Sequence, residues 1–159
     1  MSSRRDAYLR EEDEHRQAFG EHTNISADCR CDINWIRENE DCYDFGIDPE
    51  DAALFSNLAW QLLGRYIANN DNVEDVELRS CHLTDAKMAL LFGTLTESGS
   101  ISTFNLSDNL IGIEGVRSMI PFLKSAPELL DLNLSANYIL SRGFELIIQA
   151  LHDDATEIL

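Results

Sequence analysis

Ile101-Ser102-Thr103-Phe104-Asn105-Leu106-Ser107-Asp108-Asn109 and Leu129-Leu130-Asp131-Leu132-Asn133-Leu134-Ser135-Ala136-Asn137 are one phrase written twice, with starts 28 residues apart. Both read LxxLxLxxN. Apolar residues alternating with polar ones over so short a run predict a strand with one face in a core. Stepping back by the same interval reaches Val73-Glu74-Asp75-Val76-Glu77-Leu78-Arg79-Ser80-Cys81, which fits with Cys in place of Asn. Downstream the apolar residues keep step as well: Leu83, Ile111 and Ile139; Leu91, Met119 and Ile147; Leu95, Leu123 and Leu151. Each copy therefore predicts a strand, a turn and a helix.

Parallel strands from successive copies should pair side by side, with Val76, Phe104 and Leu132 in one column and Leu78, Leu106 and Leu134 in another. A fully buried side chain of this size contributes about 1.5–3 kcal/mol. One copy cannot offset the entropy of ordering its chain, whereas a stack of them can. Asn109 and Asn137 are read as structural, their amides bonding backbone within and between turns, a role Cys81 imitates only weakly. Gly115 and Gly143 stand where the helical half begins and suggest close backbone approach, with Lys87 at the same place in the first copy. Pro121 falls inside a predicted helix and is expected to kink or shorten it.

The pattern resembles the leucine-rich repeat of the long, ribonuclease-inhibitor-like type, and looks similar to the repeats of the ribonuclease inhibitor and of NOD-like receptors. The resemblance covers roughly residues 48–159. It implies an α/β leucine-rich-repeat solenoid, with short parallel strands on the concave face and helices on the convex face. No P-loop accompanies it, so a receptor's nucleotide switch is not carried over.

Upstream, Asp48-Pro49-Glu50-Asp51 carries helix-start signals, namely an N-cap Asp, Pro at the first helical position and acids in the first turn. A helix is expected from there to about Ala68, with Leu54, Leu58, Leu62, Leu63, Tyr66 and Ile67 on one face. Because the 28-residue step would put a strand on Asp48 and Glu50, residues 48–72 are read as a helix-only half repeat that caps the array. Residues 21–47 are expected to form an irregular N-terminal segment, and residues 1–20 a mobile charged tail. Residues 73–159 hold three repeats and, at Glu157-Ile158-Leu159, the start of a fourth. The array thus reads as a fragment or a truncated one, with an uncapped apolar end able to self-associate.

With 12 basic against 29 acidic residues the formal net charge is -17. Such a surface repels phosphate backbones and anionic lipid, which argues against nucleic-acid or membrane binding. No secretory signal opens the chain, and Asn105-Leu106-Ser107 and Asn133-Leu134-Ser135 would set glycans on strands if secreted. A cytoplasmic location is expected, and with it four reduced thiols at Cys29, Cys31, Cys42 and Cys81. Cys29, Cys31, Cys42 and His22 could be imagined as a zinc cluster, but the spacing lacks paired CxxC units.

No catalytic constellation appears, no cofactor is implied, and an enzyme is not expected. The alternation names the solvent-facing concave residues: Asp75, Glu77 and Arg79; Thr103, Asn105 and Ser107; Asp131, Asn133 and Ser135. They are expected to bind a protein partner, with a basic segment the best match to the acids. The alternative is a GTPase-activating regulator of the Ran-type leucine-rich-repeat class, resting on fold analogy alone.

Overall fold

The computed structural model describes residues 4–19, 36–37 and 42–153. Its elements run α1 (Arg4–Phe19), β1 (Asp44–Gly46), α2 (Pro49–Ala52), α3 (Asn57–Ala68), β2 (Asp75–Glu77), α4 (Asp85–Phe92), β3 (Thr103–Asn105), α5 (Ile113–Lys124), β4 (Asp131–Asn133) and α6 (Ser141–Asp153). The four strands form one parallel sheet in the order β1-β2-β3-β4. A helix follows every strand, so the chain winds as an α/β leucine-rich-repeat solenoid with the sheet on one side and the helices on the other.

Strand register follows the sequence period. Val76 lies beside Phe104 and Phe104 beside Leu132, as the repeat requires. Inside the coil Phe104 meets Phe92 and Phe122, all three rings 5.5–5.7 Å apart and the pair Phe104–Phe122 edge to face. Leu78, Leu83, Leu91, Ile101, Leu106, Ile111 and Met119 are sealed around them. The predicted columns therefore meet in one continuous core.

The turns after the strands are held by the ninth residue of each copy. Asn109 Nδ2 lies 2.9 Å from the carbonyls of Leu78 and Leu106, and its Oδ1 accepts from Leu83 N at 2.9 Å. Asn137 repeats this one coil on, donating to Leu106 O at 2.9 Å and accepting from Ile111 N at 3.0 Å. Cys81 offers only a thiol, 3.5 Å from the carbonyls of Ile47 and Arg79. The residue just before each, Ser80, Asp108 and Ala136, has φ of 57°, 55° and 53°. A left-handed step is thus built into the turns after β2, β3 and β4.

Close helix packing explains two glycines. A Cβ on Gly115 would stand 2.7 Å from Asp85 Oδ1 and 2.8 Å from Ile111 Cγ2, inside contact distance. One on Gly64 would collide with the carbonyl oxygen of Leu91 on the neighbouring helix. Pro121 lies within α5, which nevertheless spans 12 residues, as α3 does. The proline does not shorten its helix.

Four expectations need correction. A strand, Asp44–Gly46, pairs with Asp75–Glu77, so the first coil is not a helix-only half repeat. It escaped the 28-residue count because Asp44 stands 31 positions before its partner Asp75. The expected helix from 48 to 68 is two helices: after the turn Pro49–Ala52 the chain breaks, and Ser56 restarts it by accepting from Ala59 N at 3.2 Å. Leu54 falls in that break and is 82% exposed rather than on the core face. Third, α1 replaces the described part of the mobile tail: His15 and Ala18 are buried, His15 Nδ1 is 3.2 Å from the Tyr66 hydroxyl, and Phe19 stacks edge-on against Phe55 at 5.2 Å. Ion pairs Arg37–Glu12 at 2.9 Å and Arg65–Glu14 at 3.5 Å flank it. Fourth, Cys42 is disulfide-bonded, against the expectation of a thiol, while Cys81 is a buried thiol outside any disulfide. The expected start of a fourth repeat at 157–159 lies outside the described residues.

Candidate functional site

The sheet sorts its residues into rows. Asp44, Asp75, Thr103 and Asp131 stand side by side, and so do Gly46, Glu77, Asn105 and Asn133. Their side chains are on the opposite face from Phe45, Val76 and Phe104, which are buried. With neighbouring strands roughly 4.8 Å apart, the four-strand face is on the order of 15 Å wide. Asp44 was missed in the sequence, although Cys42, Phe45 and Ile47 repeat the spacing of Val73, Val76 and Leu78. The pattern was legible once a longer first coil was allowed.

Of the nine residues expected on this face, Asp75, Arg79, Asp131, Asn133 and Ser135 are exposed and Glu77, Thr103 and Asn105 are half-buried. Ser107 is 4% exposed and cannot meet a partner through its side chain. Its column leaves the strand after Asn105, and the chain there turns under the next coil, whose Ser135 carbonyl accepts from Asp108 N at 3.0 Å.

Several of the others are tied to one another. Asn105 Nδ2 donates to Glu77 Oε2 at 3.0 Å, and Asn105 Oδ1 accepts from Ser107 N at 3.0 Å. Asn133 Oδ1 accepts from Ser135 N at 3.0 Å and from its hydroxyl at 2.7 Å. Arg79 places Nε and Nη2 each 2.8 Å from Asp108 Oδ2 across the coil boundary. That pair is exposed and contributes little to stability; its effect here is to neutralise the basic residue of the face. Among the described residues the acidic row Asp44, Asp75 and Asp131 has no basic side chain set against it, and Glu77 stands beside it. The arrangement can attract a cation or accept hydrogen bonds.

Beyond the sheet, Leu130, Tyr138, Leu140, Phe144, Ile148 and Leu151 are exposed by 48% or more of their surface at the β4–α6 end of the stack. Leu151 was expected in the core column of Leu95 and Leu123, yet among the described residues no further coil covers it. Among the described residues no three His, Cys, Asp or Glu side chains gather as a metal site. His22, Cys29 and Cys31 of the imagined zinc cluster lie outside them. No helix of the described residues is long and apolar enough to cross a membrane.

No protein-family model matches the chain, and no curated protein matches it by sequence. Solved structures do match. One is the actin-binding site 2 of leiomodin-1, at 12% identity and TM-score 0.57, covering 78% of this chain and 87% of that one. Another is the tropomodulin C-terminal domain of Caenorhabditis elegans, at 14% identity and TM-score 0.44, covering 79% of this chain and 92% of that one. The first likeness supports the leucine-rich-repeat fold. The expected kinship with the ribonuclease-inhibitor type is corrected by the first match and by the sheet, which among the described residues has four short strands rather than a long array. Neither match lends support to the Ran-type alternative.

Proposed function

We propose that this chain is a non-enzymatic protein-interaction module that receives its partner on the concave sheet. The observation that carries the reading is the acidic row Asp44, Asp75 and Asp131, set in register on three of four strands with the basic Arg79 already paired to Asp108. A partner with a basic segment answers that charge. The site residues are the accessible members of the face, Asp75, Glu77, Arg79, Thr103, Asn105, Asp131, Asn133 and Ser135, joined by Asp44. A leiomodin-1 segment of this fold is named for binding actin, which makes actin the first partner to try. Co-sedimentation with filamentous actin, and pull-down from extract, should both be run with wild type and with Asp75→Lys plus Asp131→Lys. Loss of recovery in the double variant is expected; unchanged recovery would sink the concave-face proposal.

The apolar end around Tyr138, Leu140 and Phe144 favours a second contact, self-association of two copies through that end. A clean monomer by light scattering at high protein concentration would remove it. A cytoplasmic location goes with this proposal, and what supports it is the Asn105 sequon, where a glycan would displace the amide that donates to Glu77 in the sheet. The disulfide at Cys42 runs against a reducing compartment, so the redox state of Cys42 in cells is the direct check. A fully oxidised Cys42 would move the protein elsewhere.

A further inference from the structure

Strand β4 keeps one backbone edge open. Asp131 N donates to Ser102 O and Asn133 O accepts from Leu106 N, so these two residues direct their backbone groups at β3. Alternation along the strand then turns the N–H and C=O of Leu132 the other way, and with them Leu134 N and Leu130 O. Among the described residues no strand lies on that side of β4. The helix beneath tells the same story. Val116 and Leu123 are 0% and 4% exposed under the last coil, whereas Phe144 and Leu151, 28 residues on, are 48% and 51% exposed. This end therefore repeats the coil-to-coil interface with one side of it in place. Taking roughly 200 Å² for a large apolar side chain, the exposed parts of Leu130, Tyr138, Leu140, Phe144, Ile148 and Leu151 come to about 800 Å², the share one partner contributes to a standard interface.

We propose that a second copy of this chain covers the end about a two-fold axis through Leu132, with β4 pairing antiparallel to β4 of the other copy. The proposal rests on the self-association reading and gives it a geometry. Leu132 exchanges two backbone bonds with Leu132 of the second copy, and Leu134 N reaches Leu130 O across the axis in both directions. Three observations select this arrangement. At the opposite end α1 lies on α3 with His15 buried against Tyr66, which obstructs head-to-tail stacking, so like ends meet and the contact closes as a dimer. On α6, Phe144, Ile148 and Leu151 fall at i, i+4 and i+7 in one stripe, and about an axis near Ile148 the Phe144 of one copy meets Leu151 of the other. Charge agrees as well. Residues 129–152 carry Asp131 and Glu145 against Arg142, a net -1 of the chain's -17, and Arg142 already holds Glu145 at 2.8 Å. Across the axis Asp131 faces Asn133 rather than a second carboxylate. The joined sheet holds four strands from each copy, and the two concave faces run on as one trough.

Sedimentation velocity of the full chain over a concentration series is expected to show monomer and dimer and nothing larger. Ile148→Lys should weaken the dimer at least about thirtyfold, while Leu54→Lys, equally exposed but away from this end, should change it no more than about twofold. A thermal melt of both variants checks that they fold alike. Strand register is read by mixing Asp131→Cys chains with Asn133→Cys chains and oxidising with diamide, wild type serving as the blank. Directly opposite side chains lie about 5 Å apart, so a disulfide between unlike copies is expected to form much faster than one within either variant alone. A monomer at every concentration overturns both this geometry and the self-association reading. Larger species, or linking of like residues as fast as of unlike ones, overturns the two-fold pairing and leaves self-association standing. Association indifferent to Ile148→Lys overturns the pairing and removes the apolar end as its seat.

Discussion

Replacing Asn109 by alanine should destabilise the fold far more than its size suggests, because the amide belongs to two coils at once. In the structure it serves Leu78 O and Leu106 O at 2.9 Å, Ser107 O at 3.1 Å and Leu83 N at 2.9 Å. Leu106 O would keep Asn137 as a partner. Leu78 O and Leu83 N would keep none, and both residues are fully buried. Each orphaned backbone group costs about 1–3 kcal/mol, so a loss of about 3 kcal/mol is expected. The comparison sharpens the number. Asn137→Ala orphans the Ile111 N–H, but its own turn is half-exposed and water can replace part of what is lost, giving about 1–2 kcal/mol. Cys81→Ala gives up the thiol contacts at 3.5 Å and a little volume, about 1 kcal/mol. Urea unfolding of the three variants, with the slope held constant across the series, reads the ranking directly. Equal losses at Asn109 and Cys81 would refute the claim that the amide ladder holds the coils together.

Ala136→Gly should raise stability by about 0.5–1 kcal/mol, since φ of 53° strains an L residue and glycine adopts it freely; a lowered urea midpoint would contradict this. Gly64→Ala should destabilise by about 2–3 kcal/mol or more, because a backbone carbonyl, Leu91 O, occupies the new methyl's place and the helices must separate; thermal unfolding within a degree of wild type would count against the packing argument. The Tyr66 phenol is pushed above its ordinary value of 10.0 chiefly by burial, with Arg37 and Arg65 pulling the other way. A raised folded-state pKa means its contribution is intact below pH 10 and is lost as pH rises through the folded value. Denaturation at alkaline pH should therefore steepen in wild type and flatten in Tyr66→Phe, with identical pH profiles the result that removes Tyr66 from the account.

Repetition is what made the fold readable. Strand, turn and core residues recur because each coil must present the same surface to the next, so Phe104, Leu106 and Asn109 announce Leu132, Leu134 and Asn137. The first coil hid its strand by being longer: the extra residues hold α2 and the Ser56 cap, and a fixed step passes over Asp44. Helix α1 hid behind its charges, with His15, Ala18 and Phe19 facing inward. The alternation also placed most of the candidate face correctly, but it was extended past the three-residue strands. Beyond Asn105 the chain is already turning, and at Ser107 burial by the neighbouring coil replaces the strand's two-residue period. Nothing local in the sequence signals that a strand will be so short.

The stack is also uneven from end to end. Phe104 and Leu106 are wholly enclosed, whereas one coil later Leu132 is half-buried and Leu134 is 8% exposed. When each layer leans only on its neighbours, opening begins where a neighbour is missing and travels inward like a zipper. Asp131 rides on the less enclosed side, while Asp44 and Asp75 sit on the side covered by α1 and α3. A partner that grips the enclosed side meets a preshaped template, and one that reaches across to Asp131 must also order a layer held by fewer neighbours, a cost that would appear in its affinity rather than in its contacts.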